Sequence, residues 1–467
     1  PRRDRLSKFP ALLGAFSRNH LSFFMSQSLT SWGSRLGFIL ASAGSAVGLG
    51  AIWKFPYMSG ANGGAAFMIP YIVFTLTCGV AMLLSEYVVG RAGRAGAIRS
   101  LTNVAGRGWG FFGAVGMLTA FFILCFYSCV GGWCLKYLVD AILGLGLTKD
   151  AAELNANFGA FVSNGPESYA YQLVFLLINL CIVLAGVNKG LERLSKVLMP
   201  TLLILMLILI VRGLTLPGAA AGLEYLFLPR WDLVSAQSLF NAMGFSFFSL
   251  SLGAGVMVTY AGYLSEKTNL LTSTAWVAGL SIMAALLGGL MVMPTVFAFG
   301  LDPNAGPGLT FVTMPAIFSQ LPGGRFFAVI FYACLVFAAI TSSVSMLEAV
   351  VGTMAHVTRW SRRTTAVGGT IAAMVIGFFC CMSFGSMADV KLFGKTVFDF
   401  LDYITSNIGM PIAALGFTAV AAWVTWKSTE KQLQTVKTVS PTVLKVIRLF
   451  IGVLAPVMII VVVVTGL

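Results

Sequence analysis

The sequence predicts an all-α protein that crosses a membrane about eleven times, and three observations carry that expectation. Its residues are 58% hydrophobic and only 10% charged, with a mean hydropathy of +0.90. Soluble domains carry about a quarter charged residues, so this much apolar surface needs hydrocarbon around it. Apolar windows long enough to span a bilayer recur along the chain, near 34–60, 65–90, 108–143, 168–187, 191–213, 237–263, 272–299, 325–356, 364–386, 395–425 and 442–466. The first and sixth windows are both interrupted, five apart, which is the hydropathy pattern of two inverted five-helix halves.

Lys and Arg orient the windows. Arg91, Arg94, Arg99 and Arg107 fall in one short loop, and Arg359, Arg362 and Arg363 in another on the same side. Asp150, Glu153, Glu167, Asp302 and Asp389 fall on the opposite side. Positive charge retained inside places the N-terminus in the cytoplasm and, with an odd count, the C-terminus outside. The expected location is a cell (inner or plasma) membrane, crossed many times, with the lipid bilayer as the surrounding partner. Residues 1–35 are basic and mixed, without the pattern of a cleavable signal. Residues 9–24 are read as a segment lying along the inner surface.

Composition also excludes functions. A net charge of +14 invites a nucleic-acid reading, yet the basic residues are dispersed in short loops, so no nucleic-acid partner is expected. All eight cysteines fall in apolar runs and read as small buried hydrophobes. Two histidines, His20 and His356, are too few and too far apart for a metal centre or a nucleophile–base pair, so an enzyme is not expected. A channel would need a continuous polar path, whereas the polar residues here gather at one depth. No obligate protein partner is evident.

The run LASAGSAVGLGAIWKFPY (40–57) interrupts the first window with Gly44, Gly48 and Gly50, then Lys54 and Pro56. The sixth carries NAMGFSFFSLSLGAGVMVTY (241–260), with Ser246, Ser249, Ser251, Gly253 and Gly255. One glycine-rich helix is explained by close packing, since Gly-x-x-x-Gly is a common membrane contact. Two at matching positions, each with polar residues at mid-depth, point instead to unwound segments whose freed backbone groups face a cavity or an ion.

The motif SWGSRLGFILASAGSAVGLGAIWKFPYMSGANGGAAFMIPYI (31–72) closely resembles the first two helices of the neurotransmitter:sodium symporters. GLERLSKVLMPTLLIL (190–205), FFSLSLGAGVMVTYAGY (247–263), GPGLTFVTMPAIFSQ (306–320) and FAAITSSVSMLEAVV (337–351) extend the resemblance over nearly the whole chain. It implies the LeuT-type 5+5 inverted repeat with broken first and sixth helices: an N-terminal segment (1–33), a first repeat (34–213), a second repeat (214–425), and a linker with an eleventh helix (426–467). It also implies sodium-driven symport of an amino acid by alternating access. A receptor or non-transporting family member is the alternative.

The resemblance assigns residues to roles. The second sodium site would use Gly44, Val47, Ala338, Thr341 and Ser342; the last three share one helix face at i, i+3 and i+4. Taken alone, Thr341 and Ser342 could simply bond back to their own helix. The N–H groups of Leu49 and Gly50, together with Tyr127, would hold a substrate carboxylate. Carbonyls around Ala46, Phe248 and Ser251 would take its amino group, and Ser249 lies beside it. Ile123, Phe248, Ala254, Ser342 and Met346 would line the side-chain pocket. Gly48 stands where amine carriers place an aspartate, which favours a substrate bearing its own carboxylate. Alanine at 254 suggests room for a large neutral side chain, with a basic amino acid as the alternative.

Departures from the family pattern carry further expectations. Ala51 and Ser281 replace two side-chain ligands of the first sodium site, so one sodium per cycle is expected. Phe245 and Ala285 replace the chloride-site positions, so no chloride is expected. Lys54 and Asp402 match the outer gate pair, with Asp399 as a second partner and Phe248 and Tyr127 as the lid. The inner gate pair falls on Leu29 and His356 and is lost, leaving closure to Trp32 and Tyr263. Glu86 is read as a buried structural acid for which a proton role stays open.

Overall fold

The chain enters the bundle at Ser34, whose hydroxyl accepts the N–H of Gly37 at 3.0 Å and so caps the first helix. The computed structural model describes residues 31–466, apart from 304, 305, 307 and 359; Leu29, His20 and residues 9–24 lie outside the described residues. Helix Arg35–Ala46 stops at Val47, which leaves helical geometry at φ −88°, ψ 54°. The chain resumes as a wide π turn over Gly50–Lys54 and continues into helix Phe55–Ala61, with Pro56 in its first turn. Proline is accommodated there because first-turn N–H groups have no partner within the helix. The two pieces are bent by 47°.

Nine further helices among the described residues are long and apolar enough to cross a bilayer. The second to fifth spans are Ala65–Gly93, Arg107–Leu143, Gly165–Leu184 and Val187–Leu214. The seventh to eleventh are Leu270–Ala298, Gly324–Thr358, Arg362–Met382, Val397–Val424 and Pro441–Thr465. The sixth place is taken by two shorter helices, Ala236–Ser249 and Val256–Gly262. Ser235 and Ser238 form a capping box at the first of these. The break between them runs through Ser251 (φ +53°), Gly253 (φ +75°) and Gly255 (φ +67°). Glycine is required at Gly253 twice over, by its φ and because a Cβ would overlap the backbone carbonyl of Met410. Ser251 adopts the left-handed region without being glycine, at a cost of order 1–3 kcal/mol.

The third and eighth spans, with helical portions of 34 and 35 residues, pack along one another through the centre of the bundle. Residues 327–353 of the eighth are almost continuously buried. Apolar side chains such as Val211, Ile371, Val375 and Val457 are instead exposed on outward faces. Hydrocarbon covers such a surface at no polar cost, since helical backbone groups away from the ends and breaks are bonded within their own span.

Candidate functional site

A single carbonyl marks where the two breaks meet. Ser45 O, freed where the first span unwinds, accepts the hydroxyl of Ser342 at 2.9 Å and that of Ser251 at 3.0 Å. Ser342 also reaches Gly44 O at 3.3 Å, and the Ser45 hydroxyl lies 3.4 Å from that of Ser251. One carbonyl thus ties together the first, sixth and eighth spans. Freed backbone oxygens inside an apolar bundle need such partners, because an unpaired buried polar group costs about 1–3 kcal/mol.

Gly44 faces the eighth span: a Cβ there would sit 3.3 Å from Thr341 Cβ and 3.3 Å from Met199 Sδ. Thr341 itself donates to Ala338 O at 3.0 Å on its own helix. Gly44, Ala338, Thr341 and Ser342 are therefore together, and Val47 ends the first helix three positions after Gly44. The donor set is neutral oxygen, carbonyl and hydroxyl, which fits an alkali cation better than a transition metal. Among the described residues no three His, Cys, Asp or Glu side chains are grouped to hold a metal.

The other face of the break is built around Tyr127. Its hydroxyl oxygen accepts the Leu49 N–H at 3.1 Å. Gly48 is wedged between: a Cβ would overlap the Ser342 hydroxyl and lie 3.0 Å from that of Tyr127. An aspartate at 48 has no room in this arrangement. Gly50 passes under the Phe248 ring, where a Cβ would sit 2.7 Å from Cε1. Ala46, Ile123, Ala254 and Met346 are buried in the same apolar core.

Below Ala51 the chemistry changes. Ser281 donates to Ser249 O at 2.8 Å, while the Ser249 hydroxyl turns to Ser246 O at 3.2 Å. Gly288 packs directly on the Ala51 carbonyl. Phe245 fills the neighbouring space, its ring 5.0 Å from Tyr71 and 5.8 Å from both Phe55 and Phe67. The Tyr71 hydroxyl is buried beside Ser249, Ser281 and Thr75, and Ala285 is buried too. Glu86, from the second span, accepts the Gly253 N–H at 2.7 Å and so braces the second break.

The residues expected at the outer gate are arranged otherwise than as ion pairs. Lys54 Nζ lies 4.4 Å from the centre of the Phe248 ring, a cation–π contact. Asp402 accepts the Ser406 hydroxyl at 3.1 Å, and Asp399 accepts that of Thr396 at 2.7 Å. Among the described residues neither carboxylate is within ion-pair distance of Lys54.

At the opposite end, Trp32 Nε1 donates to Tyr260 O at 2.9 Å, and the Trp32 N–H to Tyr263 O at 3.4 Å. Tyr263 donates to Glu348 Oε1 at 2.9 Å. Glu348 is fully buried and bidentate to Arg362, with one arm at 2.8 Å. Glu192 accepts the Gly33 N–H at 2.6 Å and the Ser34 hydroxyl at 2.8 Å, fixing the start of the first helix. His356 bonds its own helix, at Gly352 O. Sequence reasoning missed Glu348, Arg362 and Glu192. The available signal for Glu348 was an acid inside an apolar span, which is a functional pointer in its own right.

Comparison with known proteins agrees with this geometry. The family model described as "Sodium:neurotransmitter symporter family" matches residues 30–155 and 163–467. The uncharacterised sodium-dependent transporter YhdH of Bacillus subtilis is 41% identical over 83% of this chain and 86% of its own length. A sodium-dependent transporter of Haemophilus influenzae is 34% identical over 87% of this chain and 92% of its own. The crystal structure of MhsT in complex with L-phenylalanine superposes with a TM-score of 0.86 at 35% identity, covering 94% of this chain and 100% of that one. The fold is the LeuT type, and the protein is a multi-pass membrane carrier rather than an enzyme. The chain belongs to the sodium:neurotransmitter symporter family, and sodium is its coupling ion.

Proposed function

We propose that this symporter imports an amino acid together with one sodium ion, bound by Gly44, Val47, Ala338, Thr341 and Ser342, and that it needs no chloride. The observation that carries the reading is the convergence of Ser342 and Ser251 on Ser45 O. Two unwound segments and a hydroxyl-bearing helix there supply neutral oxygens for a cation, beside the N–H groups of a helix start that suit a carboxylate. Leu49, Gly50 and Tyr127 take the carboxylate. Ala46, Phe248 and Ser251 take the amino group, with Ser249 at its edge, and Ile123, Ala254, Ser342 and Met346 surround the side chain. A large neutral amino acid fits best, in keeping with the L-phenylalanine held by MhsT; a basic one is the alternative.

The single-ion reading rests on Ala51 and on two engaged hydroxyls near the first sodium position: Ser281 donates to Ser249 O, and the Ser249 hydroxyl donates to Ser246 O. Phe245, caged by three aromatic rings, supports independence from chloride. The halves 34–213 and 214–425 would rock about the paired breaks, with residues 426–467 outside the repeat and the N-terminus cytoplasmic. Lys54, Phe248, Tyr127 and Asp402 form the outer lid. Uptake of a labelled amino-acid panel into proteoliposomes, with and without an inward sodium gradient and with chloride replaced by gluconate, tests the reading. Concentrative, sodium-dependent, chloride-independent uptake of a neutral class is expected; binding without uptake would overturn it.

A further inference from the structure

Two thiols meet where no role in the transport cycle calls for them. Cys129 on the third span and Cys381 on the ninth, 252 positions apart, bring their sulfurs to 3.4 Å, and neither is exposed. Cys381 also lies 3.3 Å from Gln172 Oε1 on the fourth span. The Gln172 amide nitrogen is committed to Cys125 O at 3.1 Å and to the Ser128 hydroxyl at 2.7 Å. That fixes which end of the amide faces the sulfur. Cys129 reaches the carbonyls of Cys125 and Gly377, each at 3.7 Å. The pair therefore sits among polar groups of three spans, and a single residue, Ser128, separates Cys129 from Tyr127.

From this juxtaposition we propose that Cys129 and Cys381 are a redox-responsive tether, closing to a disulfide under small uncharged thiol oxidants and slowing the transport cycle while closed. A disulfide needs the sulfurs at about 2.0 Å, so an approach of roughly 1.4 Å by side-chain rotation and slight helix movement suffices. With the azo oxidant diamide the step balances. One sulfur adds to the N=N bond, and the second sulfur displaces it with formation of S–S. Two electrons and both thiol protons leave on the resulting hydrazine. The link would fix the register of the third span against the ninth, next to the hydroxyl that bonds the broken first helix. Packing of two small apolar side chains is the simpler explanation of the contact, and it predicts no such link.

The test uses the full chain in proteoliposomes treated with diamide, then denatured and alkylated. The accessible thiol count is expected to fall from eight to six, with a 129–381 linked peptide by mass spectrometry and full recovery in dithiothreitol. Cys380→Ser should still form the link; Cys129→Ser and Cys381→Ser should not. Initial uptake of the wild type should fall at least threefold on oxidation and recover on reduction, with Cys381→Ser unaffected. A count that stays at eight, or a link through Cys380, would overturn the pairing. A linked protein with unchanged uptake would overturn the regulatory role. The thiol count does not depend on the transport reading, so failure of one is distinguishable from failure of the other.

Discussion

Ser45 and Ser251 lie 206 positions apart, and the hydroxyl of the second donates to the carbonyl of the first at 3.0 Å. Each stands at the point where an otherwise apolar span loses its helix, so the two interruptions complete one another. The Ser45 carbonyl, which its own helix leaves free, is satisfied across the pair, with Ser342 adding a second donor from the eighth span. This is the physical reason the breaks occur at matching depths.

Removing the Ser342 hydroxyl takes away both a partner of Ser45 O and a proposed cation ligand. Ser342→Ala is expected to raise the sodium concentration for half-maximal uptake about tenfold, equivalent to about 1.4 kcal/mol. Thermal stability in sodium-free buffer should fall by no more than a single neutral hydrogen bond, about 1 kcal/mol. Uptake titrated with sodium at constant ionic strength checks the first; unfolding in detergent checks the second.

Gly48 has side chains on both sides and space for none. Gly48→Ala is expected to cut substrate affinity at least tenfold while leaving the protein folded, because its methyl displaces Ser342 or Tyr127 rather than backbone. Equilibrium binding of the transported amino acid, compared with size-exclusion behaviour of the same sample, separates the two effects.

Tyr127→Phe keeps the ring and deletes the acceptor of the Leu49 N–H. Affinity for the carboxylate-bearing substrate should drop roughly tenfold to a hundredfold, the scale of one charge-assisted hydrogen bond of about 1.5–3 kcal/mol. Decarboxylated analogues should bind the wild type poorly and lose little further in the variant. A competition assay with such analogues reads this directly.

The Glu348–Arg362 pair is buried on its acidic side. Arg362→Ala leaves a fully buried carboxylate with Tyr263 as its remaining partner among the described residues, which should cost about 3–5 kcal/mol of stability. Glu348→Gln combined with Arg362→Ala should recover a substantial part of that loss, because no buried charge remains. Comparing the single and double variants by thermal unfolding at constant pH checks the coupling.

Much of the fold was legible because hydrocarbon imposes it: every apolar window corresponds to a helix or a helix pair, and glycine placement marked both breaks. The π turns at Thr75–Gly79 and Ile404–Gly409 were not, since apolar composition does not distinguish them from α-helix. At the site, Gly44 and Gly48 stood out by residue type within the first broken segment, whereas Ser342, on the unbroken eighth span, was assigned through the family resemblance. Partners set by how distant helices cross did not: Arg362 on Glu348, Glu192 on Ser34, and Cys129 on Cys381. Lys54 was legible as a charge near the lid, yet its seat on the Phe248 ring rather than on Asp402 depends on side-chain direction, which spacing alone does not determine.

The most direct test of the account is the number of sodium ions bound per chain, measured by equilibrium binding of radioactive sodium to the purified protein with saturating substrate. One ion per chain, bound about tenfold more weakly in Ser342→Ala and unchanged in Ser281→Ala, is the predicted result. Two ions per chain in the wild type would contradict it, because Ala51 and Ser281 would then sustain the first site that the account holds to be gone.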